Sequence, residues 1–385
     1  MSKKSIKIIL ATGIFYPDVG GPAIHVRKIA EALTQNGFRP VVIAYGDYDG
    51  QENFPFRVIR ISNKLNPILR RAKYTLTVLR ESLAAKALYA FNLATAGLPV
   101  FIAGKLFSKK ILIRVPGDPI WERIVENGRR SVSFVNYYKQ GLHTVDRPWL
   151  FRVIKFVLSR FDHVVFYSPF LSEIYKKYYA IPANKVSIIL NPVSRREMLP
   201  VEIASEPTVL FAGRFVAYKN LELVIRVFDR VRRKIGSGKL ILMGDGPDRE
   251  KLERLASGMS SASNIRITSK VYQEKLFEHV CSSTLGIGPA LTEFNPNFIL
   301  ECLSFGKPVL LSRENGLSVK LPEEFLFDPS DENELEAKLV KFFDEDFYKS
   351  AQGKVSRMDM NQTWDKVTGG HLELLHKITS GYAHV

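Results

Sequence analysis

Cysteine is nearly absent: Cys281 and Cys302 are the only two in 385 residues, and neither sits in a CxxC pair or beside paired histidines. That excludes a disulfide framework and a structural zinc site, and it suits a reducing compartment. The seven histidines show no metal-ligand spacing. Low-complexity runs and Pro-rich or Ser-rich tails are missing too, and an apolar fraction of 46% leaves no basis for disorder. Long apolar runs are scarce. The stretch from Ala87 to Gly104 barely reaches membrane-spanning length and is interrupted by Asn92 and Pro99, which favours a strand, a turn and a buried helix. Met1 to Phe15 has the lysines and apolar residues of a leader, but Gly13, Tyr16 and Pro17 cut it short without a small-residue cleavage site, so it is read as a first strand.

Acidic residues are scarce in one half only. Residues 1–200 hold 31 Lys+Arg against 13 Asp+Glu, whereas residues 201–385 hold 24 against 26, so the whole excess of +16 originates in the N-terminal half. A one-sided basic field directs that half toward something anionic: a membrane surface, a phosphorylated lipid, an acidic glycan or a nucleic acid. Within it, Leu65 to Lys86 reads as a basic amphipathic helix, with Arg70, Arg71, Lys73 and Arg80 among Ile68, Leu69, Leu76, Val78 and Leu79. Either an anionic membrane or a core-packing helix with a solvated basic face accounts for that pattern.

A chain of this length supports two cores. Lys7–Thr12 is a short apolar run, followed by a Gly/Pro-rich loop and an amphipathic segment from Ile24 to Asn36; that is strand, loop, helix. Further strands are expected at Pro40–Tyr45, Phe56–Ile61, Lys110–Val115 and His163–Tyr167, with helical patterns between them. After a polar linker near residue 192 the alternation restarts with strands at Val209–Ala212, Lys239–Met243, Ile265–Ile267, Thr284–Ile287 and Pro308–Leu311 and a helix over Asn220–Ile235. Two α/β halves in tandem follow, with ligands expected beyond the carboxyl ends of their strands.

The sharpest constellation is Thr292-Glu293-Phe294-Asn295-Pro296-Asn297-Phe298-Ile299-Leu300-Glu301, followed by Gly306-Lys307-Pro308-Val309. Two carboxylates eight positions apart bracket a loop-to-helix start, one before the helix and one inside it, flanking N–H groups that favour phosphate. Together with the Gly20-Gly21 loop, Phe211-Ala212-Gly213-Arg214 with Lys219-Asn220, Gly244-Asp245-Gly246-Pro247, and the apolar segment around Trp364, this set resembles the retaining glycosyltransferases of family 4 over nearly the whole chain.

The resemblance implies the GT-B fold: an α/β protein of two facing Rossmann-like domains with a cleft between them. On that reading residues 1–192 form an acceptor-binding domain, 193–360 a nucleotide-sugar-binding domain, and 361–385 a C-terminal helix returning to the first. It implies a UDP- or GDP-sugar donor and a glycan acceptor; the basic N-terminal half adds an anionic membrane surface as partner, hence a lipid-linked acceptor and peripheral placement at the cytoplasmic membrane face. No metal cofactor, nucleic-acid partner or covalent nucleophile is implied. Arg214 and Lys219 would carry the diphosphate, Glu293 would contact the donor sugar, and Glu301 would hold the ribose hydroxyls. Gly20, Gly21, Gly213, Gly246, Val271, Asn297 and Phe298 would complete the donor site.

Two departures stand out. The loop between the glutamates is usually glycine-rich, whereas here it reads Asn295-Pro296-Asn297, and Pro296 has no N–H to offer. The family's N-domain histidine is missing from Ile113-Arg114-Val115-Pro116-Gly117-Asp118, where Asp118 is either a donor-sugar or acceptor contact or a turn cap. His25 and Asn92 are weaker acceptor-site candidates at a helix start and a strand end. The rival readings are a nucleotide-sugar epimerase of related fold and a basic nucleic-acid-binding protein, the latter without a recognisable binding module.

Overall fold

A computed structural model describes residues 5–17, 21–47, 53–202 and 204–380. The chain divides into two compact units: Met1–Ile120 with Arg147–Pro192 and Thr363–Val385, and Trp121–Asp146 with Val193–Gln362. Each is built on a parallel sheet.

In unit 1 the strands are β1 (Ile6–Ala11), β2 (Phe38–Tyr45), β3 (Arg57–Ile61), β4 (Ala87–Ala90), β5 (Lys110–Val115), β6 (His163–Phe166) and β7 (Val186–Ile188), in the order β3-β2-β1-β4-β5-β6-β7. All of their pairings are parallel, and the short runs are buried because helices cover both faces. Successive crossovers fix which face each helix covers. The chain moves one way from β1 to β3 and the other way from β3 to β7. Right-handed crossovers therefore put the helix Gly21–Gln35 on one face and the helices Pro67–Ser82, Leu98–Leu106 and Pro148–Ser159 on the other. The terminal helix Trp364–Thr379 joins the first face, where Val367, Leu374 and Leu375 pack with Val26, Ala30 and Leu33.

Unit 2 contains β8 (Val193–Ser194), β9 (Thr208–Arg214), β10 (Lys239–Asp245), β11 (Ile265–Thr268), β12 (Leu285–Gly288), β13 (Val309–Ser312), β14 (Leu326–Phe327) and β15 (Asn361–Gln362). Six of these form a parallel sheet in the order β11-β10-β9-β12-β13-β14, and β8 pairs antiparallel with β15. Its core runs from Val209 and Leu210 through Val224, Phe228 and Val231 to Ile287, Leu303 and Phe325. The two cysteines are free and buried inside it, Cys302 close under Gly286, where a β-carbon would lie 2.5 Å from its sulfur.

The apolar stretch from Ala87 to Gly104 resolves into β4, a wide turn over Leu93–Gly97 and the start of the helix Leu98–Leu106. Among the described residues no helix is long and apolar enough to cross a membrane. The charge asymmetry is sharper by unit than by half: the sequence segments of unit 1 hold 27 Lys+Arg against 11 Asp+Glu, and those of unit 2 hold 28 of each.

Candidate functional site

In unit 2 the chain reverses direction across the sheet between β9 and β12. From β9 it winds outward to β10 and β11, then returns to the other side of β9 for β12 to β14. Loops diverge at the carboxyl ends of two such strands and leave room for a ligand. Arg214 ends β9 and Lys219 lies five residues on; Glu293 and Asn297 follow β12.

The two loops are locked together. Lys219 Nζ donates to Glu293 Oε1 at 2.6 Å, with both side chains largely buried at 15% and 9% exposure. Burial alone would push the lysine toward neutrality, but the Glu293 carboxylate and Tyr218 overcome that and hold its pKa above the ordinary lysine value. The backbone supports the pair: Leu291 N donates to Tyr218 O at 2.8 Å, and Gly316 N donates to Glu293 O at 2.7 Å. Arg214 lies near enough to Lys219 for their charges to oppose. Its guanidinium donates to Glu126 Oε1 at 2.9 Å while staying 63% exposed, so the fork remains open to another anion.

Beside these cations begins the helix Asn297–Ser304, whose N-cap is Pro296 and whose first turn no side chain caps. Asn295 precedes it, 8% exposed, and neither amide atom of its side chain has a hydrogen-bond partner. A buried amide with both ends unsatisfied is costly and suits a polar ligand at the helix start. Glu301 lies one turn inside the helix. It accepts from Gln273 Nε2 at 3.1 Å, and burial raises its pKa against the opposing effects of Gln273 and Arg196. Val271 is half-buried in the loop leading to Gln273.

Two glycines are fixed by close approach. A β-carbon on Gly244 would lie 1.8 Å from Gly213 O, and one on Gly246 would lie 2.2 Å from Phe215 O, both at positive φ. They let the ends of β9 and β10 converge on the site. Gly213 is less constrained, its nearest neighbour being the ring of Phe211 at 3.0 Å.

Other expected residues have structural work. Phe298 is 8% exposed and packs in the core against Phe211, so only its backbone can serve a ligand; Asn297 is exposed at the helix start. In unit 1, Asp118 is fully buried: Oδ1 accepts from Ile120 N at 3.0 Å and Oδ2 from the Tyr179 hydroxyl at 3.2 Å. The bond to Ile120 N is the geometry of a turn cap. Asn92 likewise caps the turn after β4, accepting from Thr95 N and Ala96 N. His25 is 4% exposed against the Trp364 ring, and burial, then Arg114 and His371, hold its pKa well below the ordinary value. Gly21 opens the first helix; Gly20 lies outside the described residues.

Sequence reasoning missed Glu126, Asn295 and Glu314. Glu126 and Glu314 depend on the segment Trp121–Asp146 joining unit 2. There Glu314 accepts from Ser133 Oγ, Val135 N and Thr292 Oγ, tying that segment to the loop that carries Glu293. No local spacing signals such pairing. Asn295 stood between the two glutamates and was legible only as a departure from a glycine-rich loop. Among the described residues no cluster of His, Cys, Asp and Glu has metal-binding geometry.

Known proteins share this architecture. Residues 19–197 match the family described as Glycosyltransferase Family 4, and residues 206–345 match Glycosyl transferases group 1. The sulfoquinovosyl transferase SQD2 of Arabidopsis thaliana is 28% identical over 43% of this chain and 33% of its own. An uncharacterized glycosyltransferase of Methanocaldococcus jannaschii is 22% identical over 67% of this chain and 60% of its own, so the matched region spans less than two thirds of either relative. Among solved structures, sucrose-phosphate synthase from Thermosynechococcus elongatus superposes with a TM-score of 0.73 at 20% identity, covering 98% of this chain and all of that one. Anabaena HepE, solved with UDP-glucose, gives 0.71 at 15% identity, covering 96% and 99%. With a parallel-sheet Rossmann-like unit in each half and both halves matched, the chain belongs to the family 4 glycosyltransferases of the GT-B fold.

Proposed function

We propose that this chain transfers a sugar, with retention of anomeric configuration, from a UDP- or GDP-sugar to a glycan or lipid-linked acceptor. The setting we assign is assembly of a surface polysaccharide, lipopolysaccharide or glycolipid at the cytoplasmic face of the membrane. The observation that carries the reading is the Lys219–Glu293 pair, with Arg214 beside it, at the switch point between β9 and β12. Support for the donor class comes from structural neighbours solved with UDP-glucose and with UDP-2-fluoro glucose. Support for a lipid acceptor comes from relatives named as phosphatidylinositol N-acetylglucosaminyltransferase subunits.

The departing nucleoside diphosphate gains negative charge as its bond to the sugar breaks. Fixed cations and an uncapped helix N-terminus aimed at that charge stabilise the transition state more than the bound donor. Arg214 supplies a planar fork and Lys219 a point charge. Glu293, already oriented by Lys219, accepts from a sugar hydroxyl, and Glu301 accepts from the ribose. The acceptor oxygen forms its bond to the anomeric carbon on the face the diphosphate leaves, and its proton passes to a departing phosphate oxygen. No covalent nucleophile enters the scheme.

The test is nucleoside diphosphate release from a panel of UDP- and GDP-sugars, with and without lipid-linked acceptors. Arg214→Ala is expected to slow release by about 10²- to 10³-fold. Full-rate turnover by a folded Arg214→Ala protein removes the mechanism, and sugar conversion without any acceptor turns the reading to an epimerase.

A further inference from the structure

We infer that unit 1 docks on an anionic bilayer through the outer side of the three-helix layer Pro67–Ser82, Leu98–Leu106 and Pro148–Ser159. This rests on the membrane setting proposed above and assigns it a surface. The helices lie side by side on one face of the sheet, as their crossovers require, and the Phe101 and Phe156 rings meet at 6.1 Å between the second and third.

Each helix buries one side and leaves an apolar line on the other. In the first, Tyr74 and Val78 face the core, while Leu69, Leu76 and Leu83, seven residues apart, project oppositely at 56%, 65% and 60% exposure. The second exposes Leu98, Ile102 and Leu106, one turn apart. The third exposes Trp149 at 64%, with Val153 and Phe156 on the same side. Isolated exposed leucines are ordinary, but three parallel lines on adjacent helices make a patch that marks a binding surface.

The charge on these helices selects the occupant. Together they carry seven Lys or Arg and a single carboxylate, Glu81, which is buried and paired with Lys7 and Arg57. No exposed acid on them opposes an anionic headgroup. A second copy of this chain would set seven cations against seven. A nucleic acid would find phosphate partners but nothing for the lines of Leu and Ile to enter. A bilayer accommodates both, with aliphatic tips at the acyl boundary and Lys73, Arg80, Lys105 and Arg152 at headgroup depth.

Trp149 provides the reporter, because Trp121 is fully buried and Trp364 is packed against His25. The full-length protein is titrated with phosphatidylcholine vesicles, with and without phosphatidylglycerol, and followed by co-sedimentation and tryptophan emission. Strong partitioning with a blue shift is expected only on the anionic vesicles, weakening as salt rises. Arg152→Gln should weaken it by about fivefold, Leu76→Ser by about tenfold, and Trp149→Phe should abolish the blue shift. Equal binding to neutral vesicles, binding unchanged in Leu76→Ser, displacement of vesicles by random DNA, or a concentration-dependent dimer lost in Leu76→Ser would each overturn the assignment. A nucleotide-dependent rise in melting temperature, retained in all three variants, shows that the donor site survives and separates failure of this surface from failure of the proposed activity.

Discussion

The two units have the same kind of parallel α/β sheet but handle charge in opposite ways. In unit 2 cations and carboxylates are equal in number, and the cations of the site are held by named partners: Lys219 on Glu293, Arg214 on Glu126. In unit 1 the excess is large, and even a buried cation does without a carboxylate. Arg114, 4% exposed, donates to Asn191 Oδ1 at 2.8 Å and lies 5.4 Å from the Tyr167 ring. Pairing fixes a charge in place, which suits recognition of one diphosphate at one geometry. Unpaired surface cations suit a diffuse anionic partner. Fold alone therefore does not distinguish the units; the disposition of their charges does.

Acid acts on unit 1 through a buried histidine. His371 is 1% exposed in unit 1, accompanied by the Tyr89 hydroxyl at 3.0 Å, and burial followed by Arg114 lowers its pKa to about 3. In the unfolded chain it takes up a proton near pH 6.5 that the folded chain refuses. Stability from this group is therefore complete above pH 6.5 and lost as pH falls toward 3, by about 1.4 kcal/mol per pH unit. Between pH 7.5 and pH 5 the loss from His371 is about 2 kcal/mol. Denaturant unfolding at the two pH values should show a loss smaller by about 2 kcal/mol in His371→Gln, the remainder belonging to His25 and His163, whose pKa values burial also lowers; equal losses in both proteins would mean that His371 does not contribute to the acid limit.

Backbone crowding gives the next effect, this time in unit 2. Gly246→Ala would force a β-carbon to within 2.2 Å of Phe215 O. It should lower stability by about 2 kcal/mol or more and weaken nucleotide binding, as read by urea unfolding and calorimetry. Glu301→Ala is expected to weaken nucleotide binding by roughly tenfold, the equivalent of one lost charge-assisted bond; an unchanged dissociation constant would refute its ribose role. The smallest effect returns to unit 1. Gly369 lies inside the helix Trp364–Thr379 with nothing within 4 Å of an added β-carbon, so Gly369→Ala should stabilise by about 0.5–1 kcal/mol without changing turnover.

Apolar periodicity placed most strands within one or two residues. Lys110–Val115 coincides with β5, and Lys239–Met243 falls two residues short of β10 because Gly244 and Asp245 carry no apolar signal. β7, β14 and the β8–β15 pair were not anticipated, being two or three residues long and defined by pairing rather than pattern. Arg214, Lys219, Glu293 and Glu301 could be proposed from sequence because each lies near an element boundary with its own residue signature, and the structure brings Lys219 and Glu293 into contact. The placement of Trp121–Asp146 in unit 2 was not legible, since it depends on contacts such as Phe134 N to Thr292 Oγ across 158 residues of chain. Sequence left the local geometry of Asp118, Asn92 and His25 open: at strand ends and helix starts a polar residue can cap, pack or face a ligand, and the structure shows Asp118 and Asn92 accepting from turn N–H groups and His25 packed against Trp364.

In the proposed mechanism unit 2 binds a nucleoside diphosphate through Arg214 and Lys219. Thermal unfolding of the full chain with UDP, GDP, ADP, CMP and their sugar conjugates tests it most directly. A ligand at a hundred times its dissociation constant adds about 2.7 kcal/mol. A selective rise in melting temperature with UDP or GDP, strongly reduced in Arg214→Ala, is the predicted result. No rise with any nucleotide, or the same rise in the variant, would contradict it.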